Sequence, residues 1–255
     1  MGLSGAGGAS HLDPLLYPWD PPVASGVMDG NEFRPLELSA GLDEALAQAG
    51  AAPLEARSLV VSIGSNSSAD VMRRKFVNYR QPVSAVLPLV RGQLHNIAVG
   101  HSAHVSKAGY IAAAPYPLLG ECTAVWLSWL DDVQLIALDE TEPNYRRVLL
   151  DAEACPLVAD HGDRPEEFSL FTSRWGVLTD GDGGTLPFLD QPALFGLLAG
   201  SGTGDLLEEG KSVFDGPPEL VAEQLAMPSV QAWAREWFSS TGLAAPVDFD
   251  GHCAG

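Results

Sequence analysis

Basic residues are scarce in this chain. Lysine and arginine number 14 against 33 aspartates and glutamates, which gives a net charge of −19 over 255 residues. Such a chain has no general basic footprint for the phosphates of nucleic acid or for an anionic bilayer, so neither is expected as a partner. Cysteine is scarce too. Cys122, Cys155 and Cys253 are widely spaced and form neither a disulfide framework nor a zinc-ligand pattern. Cys122 sits in a hydrophobic run and is expected to be buried. No stretch approaches the roughly 20 apolar residues needed to span a bilayer. The first ten residues lack the basic and apolar regions of a secretion signal. These absences point to a reduced, cytoplasmic protein.

Bulk for a core is present. Hydrophobic residues make up 46% of the chain, with six Trp and nine Phe. That excludes a wholly disordered chain, and the length suits one large domain or a domain with extensions. The charge is uneven. Residues 1–56 hold one base and eight acids (−7), residues 57–150 nine bases and seven acids (+2), and residues 151–255 four bases and eighteen acids (−14). A site for an acidic small molecule is therefore expected in the middle third.

Residues 1–35 are rich in Gly and Pro, show no periodicity and read as an irregular arm, ordered in part by Leu15, Leu16, Tyr17 and Trp19. Ser39 is placed to cap a helix through Leu46, with Gly50 as its stop. Leu59 to Ile63 reads as a strand entering a tight loop at Gly64, and Ser67 or Ser68 can cap a helix over Ala69 to Phe76. Val83 to Val90, Gln93 to Val99, Tyr110 to Ala114 and Thr123 to Trp129 read as separate strands, broken by Gly, Pro and polar residues. Asp131 caps a helix with Val133, Ile136 and Ala137 on one face. Arg146 to Leu150 is a strand, and Phe168 to Leu178 holds at least one more. The tail reads as helical. Asp190 caps a helix ending at Gly200, Pro217 and Pro218 suit the first turn of one through Ala226, and Ser229 caps a last one. In that last helix Val230, Trp233, Ala234, Trp237 and Phe238 recur at helical spacing, a pattern of core packing. Strands gathered around short helices, followed by a helical tail, argue for the α+β class. The expected divisions are an N-terminal extension (1–56), a central domain (57–178) and an acidic helical C-terminal extension (179–255) packed on the core.

Some apparent motifs fail. Gly202-Thr203-Gly204 and Gly210-Lys211-Ser212 resemble phosphate-binding vocabulary. However, Asp205 and Leu207 stand where a P-loop or a dinucleotide fingerprint needs glycine, and Asp205, Glu208 and Glu209 repel phosphate. His101 and His104 have no further His or Cys cluster, so no metal site and no cofactor are expected.

Two features carry chemistry. Val61-Ser62-Ile63-Gly64-Ser65-Asn66 is an apolar strand turning sharply into a helix, where backbone N–H groups form a concave anion site. Leu135 to Tyr145 is a short helix whose C-terminal end crowds Asp139, Glu140 and Glu142 against the unfavourable end of the helix dipole. Crowded carboxylates of this kind are expected to raise the pKa of at least one of them if it is buried. Such a carboxylate can act as general base and then general acid.

In this order, 76 residues apart, Ile63-Gly64-Ser65-Asn66 and Leu138-Asp139-Glu140-Thr141-Glu142-Pro143 followed by Tyr145-Arg146-Arg147-Val148 resemble the gamma-glutamylcyclotransferase-like superfamily. The resemblance covers residues 57–150, extending toward 178. It implies a small, mixed, barrel-like sheet with flanking helices and a γ-glutamyl pocket at the Gly-Ser-Asn loop. It places Glu142 in the role of the catalytic glutamate and the amides of Ile63, Gly64, Ser65 and Asn66 around the substrate carboxylate or oxyanion. Tyr145 is then a substrate hydrogen-bonding partner. The implied activity is a lyase reaction that releases 5-oxoproline from a γ-glutamyl amine or peptide by intramolecular aminolysis. Ile63 and Pro143 depart from the family's aromatic residue and glycine. Pro143 is expected to hold Glu142 in extended geometry. The alternative reading is a non-catalytic module that binds a ligand or partner on the same fold.

Overall fold

The computed structural model describes residues 12–36, 41–201, 205–207 and 211–249. The expected Ser39 cap, the Gly202–Gly204 and Gly210 turns and Cys253 lie outside them.

The chain runs through β1 (Gly26–Asp29), β2 (Glu32–Pro35), α1 (Leu42–Gln48), β3 (Ser58–Ser62), α2 (Ala69–Val77), β4 (Leu87–Val105) and β5 (Ile111–Leu130). It continues through α3 (Asp132–Thr141), β6 (Tyr145–Asp151), β7 (Leu157–Ala159), β8 (Glu167–Ser173), β9 (Val177–Leu178) and α4 (Gln191–Gly200). β10 (Asp205–Leu207), β11 (Lys211–Ser212), α5 (Pro218–Leu225), α6 (Pro228–Ser240) and β12 (Ala244–Ala245) complete it. The main sheet follows the order β12-β9-β4-β5-β3-β8-β6, with β1 and β7 also paired to β4. One pairing along it, β3 with β8, is parallel, so the sheet is mixed and the class is α+β. Among the described residues the path ends at β12 and β6 and does not close on itself.

Its centre is one long hairpin. Expected as four strands, residues 87–130 form two, because the supposed breaks fit inside them. At Gly92 a Cβ would meet Leu127 Cδ1 at 2.5 Å and the Val158 carbonyl at 2.9 Å, so the close three-strand packing requires glycine there. Pro115 and Pro117 lie on the alternation whose N–H groups point away from β4. At Ile111 and Ala113 those outward groups donate to Gln191 Oε1 (2.7 Å) and to the Tyr17 hydroxyl (2.8 Å). Proline removes no β4 ladder bond on that edge. Register shifts after His95 and His101 bend the hairpin. Its two halves thus serve different cores. Val90, Leu94 and Leu127 pack with Phe168 and Leu170. Ala103, Val105 and Ile111 pack with Leu194, Leu198, Leu225, Ala234, Trp237 and Phe238 of α4, α5 and α6.

Several expectations are corrected. The arm contains a hairpin, β1–β2, turning at Gly30 with φ +61°. The Asp29-Gly30-Asn31 sequence is its signal. α1 is preceded by Gly41 as its N-cap residue, and α6 begins at Pro228 after Met227, not at a Ser229 cap. Ser68 precedes α2 without a side-chain capping bond. Val133 and Ile136 are exposed, and α3 instead buries Gln134, Ala137 and Leu138. Gln134 is the reason. Its amide donates to the Ser84 and Val86 carbonyls at 2.8 and 2.9 Å, which turns that side of the helix inward. Cys122 is exposed, whereas Cys155 is buried. Residues 119–122 of β5 are exposed as a block, so an apolar run does not entail burial. Among the described residues no helix is long and apolar enough to cross a membrane.

Candidate active site

β3 lies between β5 and β8 and buries Val60 and Val61. Past Ser62 the chain turns through Gly64 into a short 3₁₀ segment, Ser65–Ser67, and then into α2. The Ser67 hydroxyl donates to the Gly64 carbonyl at 2.7 Å and closes the turn. Opposite it stands the end of α3. That helix starts at an Asp131–Gln134 capping box. It ends at Glu142 because the following proline disfavours helical geometry there. Glu142 adopts φ −115°, ψ 55°. It is outside the helix, as Pro143 requires, but not extended, which corrects the expected β or polyproline geometry.

The two motifs meet. Asn66 Nδ2 donates to Glu142 Oε1 at 2.9 Å. Lys75 Nζ, nine residues further along in α2, donates to Asn66 Oδ1 at 2.7 Å and is ion-paired with the same Glu142 oxygen. Glu142 Oε2 accepts no hydrogen bond among the described residues, and both side chains are largely shielded, 14% exposed for Glu142 and 18% for Lys75. The crowding expected of the three acids is relieved by separate cations. Asp139 takes a two-pronged bond from Arg147 at 2.9 and 3.0 Å, and Glu140 pairs with Arg80 at 2.6 Å.

These groups line a cavity of about 590 Å³. Ile63, Gly64, Ser65, Asn66, Glu142 and Tyr145 all contribute to its wall, as do Arg74, Lys75 and Lys107. Tyr145 does so with its hydroxyl already committed, donating to the Ala113 carbonyl at 2.8 Å. The amide of the same Ala113 donates to Tyr17 OH. Two phenols thus occupy the outer edge of β5 where a neighbouring strand would lie.

Tyr17, Tyr110 and Lys75 are the site residues that the sequence reading missed. Tyr17 comes from the arm, is 4% exposed and stacks on Tyr110 with ring centroids 4.4 Å apart. Trp19 meets both rings edge-on. The Tyr17 hydroxyl sits where a Cβ on Gly64 would come within 2.5 Å, so glycine is needed for this approach. Burial raises the Tyr17 and Tyr145 phenols well above their ordinary range, and neighbouring phenols add to the rise. Tyr110 is pushed up to about 12, first by burial and then by Glu142. All three stay neutral at physiological pH and act as hydrogen-bonding groups, not bases. The sequence marks Tyr17 as a residue that orders the arm, but not as part of a site. The basic run Arg73-Arg74-Lys75 was a visible counterpart to the acids of α3.

His101 and His104 are buried in β4 with separate partners. His101 Nε2 accepts from the Leu189 amide at 2.9 Å, and His104 Nδ1 meets Ser102 Oγ at 2.5 Å. Burial lowers both to about 4. Among the described residues no three His, Cys, Asp or Glu side chains converge as a metal site would.

No family model matches the chain, and no curated protein matches it. Among solved structures it is similar to a gamma-glutamyl cyclotransferase at 10% identity and a TM-score of 0.39, over 75% of this chain and 90% of that one. A human protein described as uncharacterized is similar at 11% identity and a TM-score of 0.37, over 76% and 91%. An Arabidopsis thaliana protein known from a solution structure is similar at 15% identity and a TM-score of 0.33, over 47% and 70%.

Proposed function

We propose that the cavity binds a γ-glutamyl amine or peptide and releases 5-oxoproline, with Glu142 transferring the proton. The observation that carries this reading is the contact of Asn66 with Glu142, made across 76 residues. It puts a fixed carboxylate beside the strand-to-helix turn in one cavity. Lys75 and Asn66 both hold Oε1, which leaves Oε2 for the substrate's α-ammonium. Oε2 takes a proton from that ammonium, and the freed amine attacks the γ-carbonyl carbon. The tetrahedral oxyanion is stabilised by N–H groups of the Gly64–Asn66 turn. It collapses by breaking the bond to the leaving amine, which receives the proton back from Glu142, and the ring nitrogen gives up its second proton to the departing amine, which leaves as an ammonium ion. Substrate carboxylate is drawn to Lys107 on the cavity wall. Ring closure is intramolecular, so positioning and proton transfer are the protein's main tasks. Tyr17 and Tyr110 supply the ring wall that Ile63 does not.

The arm also favours a second reading. The Tyr17 hydroxyl takes the Ala113 amide and abuts Gly64, and an occupied cleft suits a non-catalytic binding module. Purified protein incubated with a panel of γ-glutamyl amines and dipeptides separates the two. Formation of 5-oxoproline supports the enzyme. Saturable binding without product supports the module.

A further inference from the structure

A second cavity, of about 800 Å³, lies between the ends of β6 and β8 and the outer face of α6. Arg146, Arg174 and Arg235 all line it, together with Trp175. In a chain with 33 acids and 14 bases, Arg34, Arg73, Arg80, Arg91 and Arg147 each pair with a carboxylate. The three arginines of this cavity make no ion pair among the described residues. Glu236, the acid on the lining, pairs with none of them there.

Each guanidinium is nevertheless held. Arg174 Nε donates to the Tyr145 carbonyl at 2.9 Å, and Arg146 Nε donates to Thr172 Oγ1 at 3.4 Å. Arg235 lies over the Trp175 ring, 4.8 Å from its centroid. The indole is in turn fixed by its N–H donation to Asn144 Oδ1 at 3.1 Å. For Arg146 and Arg174 this anchors the inner nitrogen and leaves the terminal amines for another acceptor. Side chains pinned in this way lose less freedom on binding an oxyanion, and a guanidinium fork matches phosphate or carboxylate geometry. The uncompensated charge also reaches inward, since Arg235 adds to the effect of burial in lowering His104.

We propose that this cavity is a binding site for a small polyanion carrying phosphate or carboxylate groups. It is separate from the Glu142 cavity and does not depend on the reaction assigned there. Titration calorimetry on the full chain, with inorganic pyrophosphate and with citrate at about 0.15 M salt, tests it. One-site saturation by either probe is expected. Arg174→Gln and Arg235→Gln each weaken it about tenfold. Ser239→Glu adds a negative charge to the lining, keeps all three arginines and weakens it as well. Glu142→Gln leaves the affinity unchanged. Saturation by pyrophosphate alone assigns a phosphate ligand, and by citrate alone a carboxylate ligand, and both outcomes support the site. Absence of saturation by either probe overturns the proposal. So does an affinity that is the same in folded Arg174→Gln, Arg235→Gln and Ser239→Glu.

Discussion

The two cavities differ in how their charges are balanced. Around Glu142 each acid of the α3 end has its own cation, and the buried phenols are bonded to the backbone of Ala113. Around Trp175 three cations are held in place without a carboxylate partner among the described residues. In the compensated cavity the carboxylate is oriented before substrate arrives. An uncompensated one suits a ligand that brings the missing charge. The wall of the first is also structural, since Tyr17, Gly64 and Glu142 join distant parts of the chain. In the wall of the second, Arg146, Arg174 and Trp175 are exposed and Arg235 is half-buried.

This contrast breaks first at Tyr17. Tyr17→Ala removes a buried ring and its hydrogen bond, and chemical denaturation should show a loss of about 3 kcal/mol. Lys75→Met leaves the Glu142 carboxylate largely shielded without its cation. A loss of about 2 kcal/mol is expected, with a fall in any 5-oxoproline turnover. Gly64→Ala drives a methyl into the Tyr17 hydroxyl and should cost about 2 kcal/mol. In a Tyr17→Phe background that cost should shrink by about 1 kcal/mol, a coupling that a double-mutant cycle reads directly. If the two changes add independently, the close approach is not the constraint.

Acid acts through the buried histidines. His101 and His104 are lowered to about 4 from 6.5 by burial, so between those pH values the unfolded chain binds more protons than the folded one. Stability contributed by these groups is therefore complete above pH 6.5 and is lost as pH falls toward 4. In His101→Phe the slope of unfolding free energy against pH across that window should be shallower by up to about 1.4 kcal/mol per pH unit. Smallest of all, Arg146→Gln in the second cavity should change stability by less than about 0.5 kcal/mol. A larger loss would make that arginine structural and erase the contrast.

The legible parts of the fold were those with local causes. Asp131 and Gln134 cap α3, Pro143 ends it, and the Val61–Asn66 turn lies where its glycine and apolar strand indicate. The meeting of Asn66 with Glu142 followed from a resemblance, not from spacing. The place of Tyr17 in the site was illegible because its partner, Ala113, lies 96 residues away and its own segment has no periodicity. The long hairpin was misread because Gly92, Pro115 and Pro117 act as breakers in sequence. Tertiary packing and an outward-facing N–H edge accommodate them inside strands. Cys122 shows the same lesson in reverse: its apolar neighbourhood is a surface segment of β5.

The central claim is that Glu142, oriented by Asn66 and Lys75, moves the proton in ring closure. The most direct test is 5-oxoproline release by wild type and by Glu142→Gln on the best γ-glutamyl amine or peptide of the panel, with thermal unfolding of both. The prediction is product from wild type and a loss of at least about a hundredfold in kcat for the variant, at an unchanged Tm. Equal product from the two proteins, or none from wild type across the panel, would contradict it.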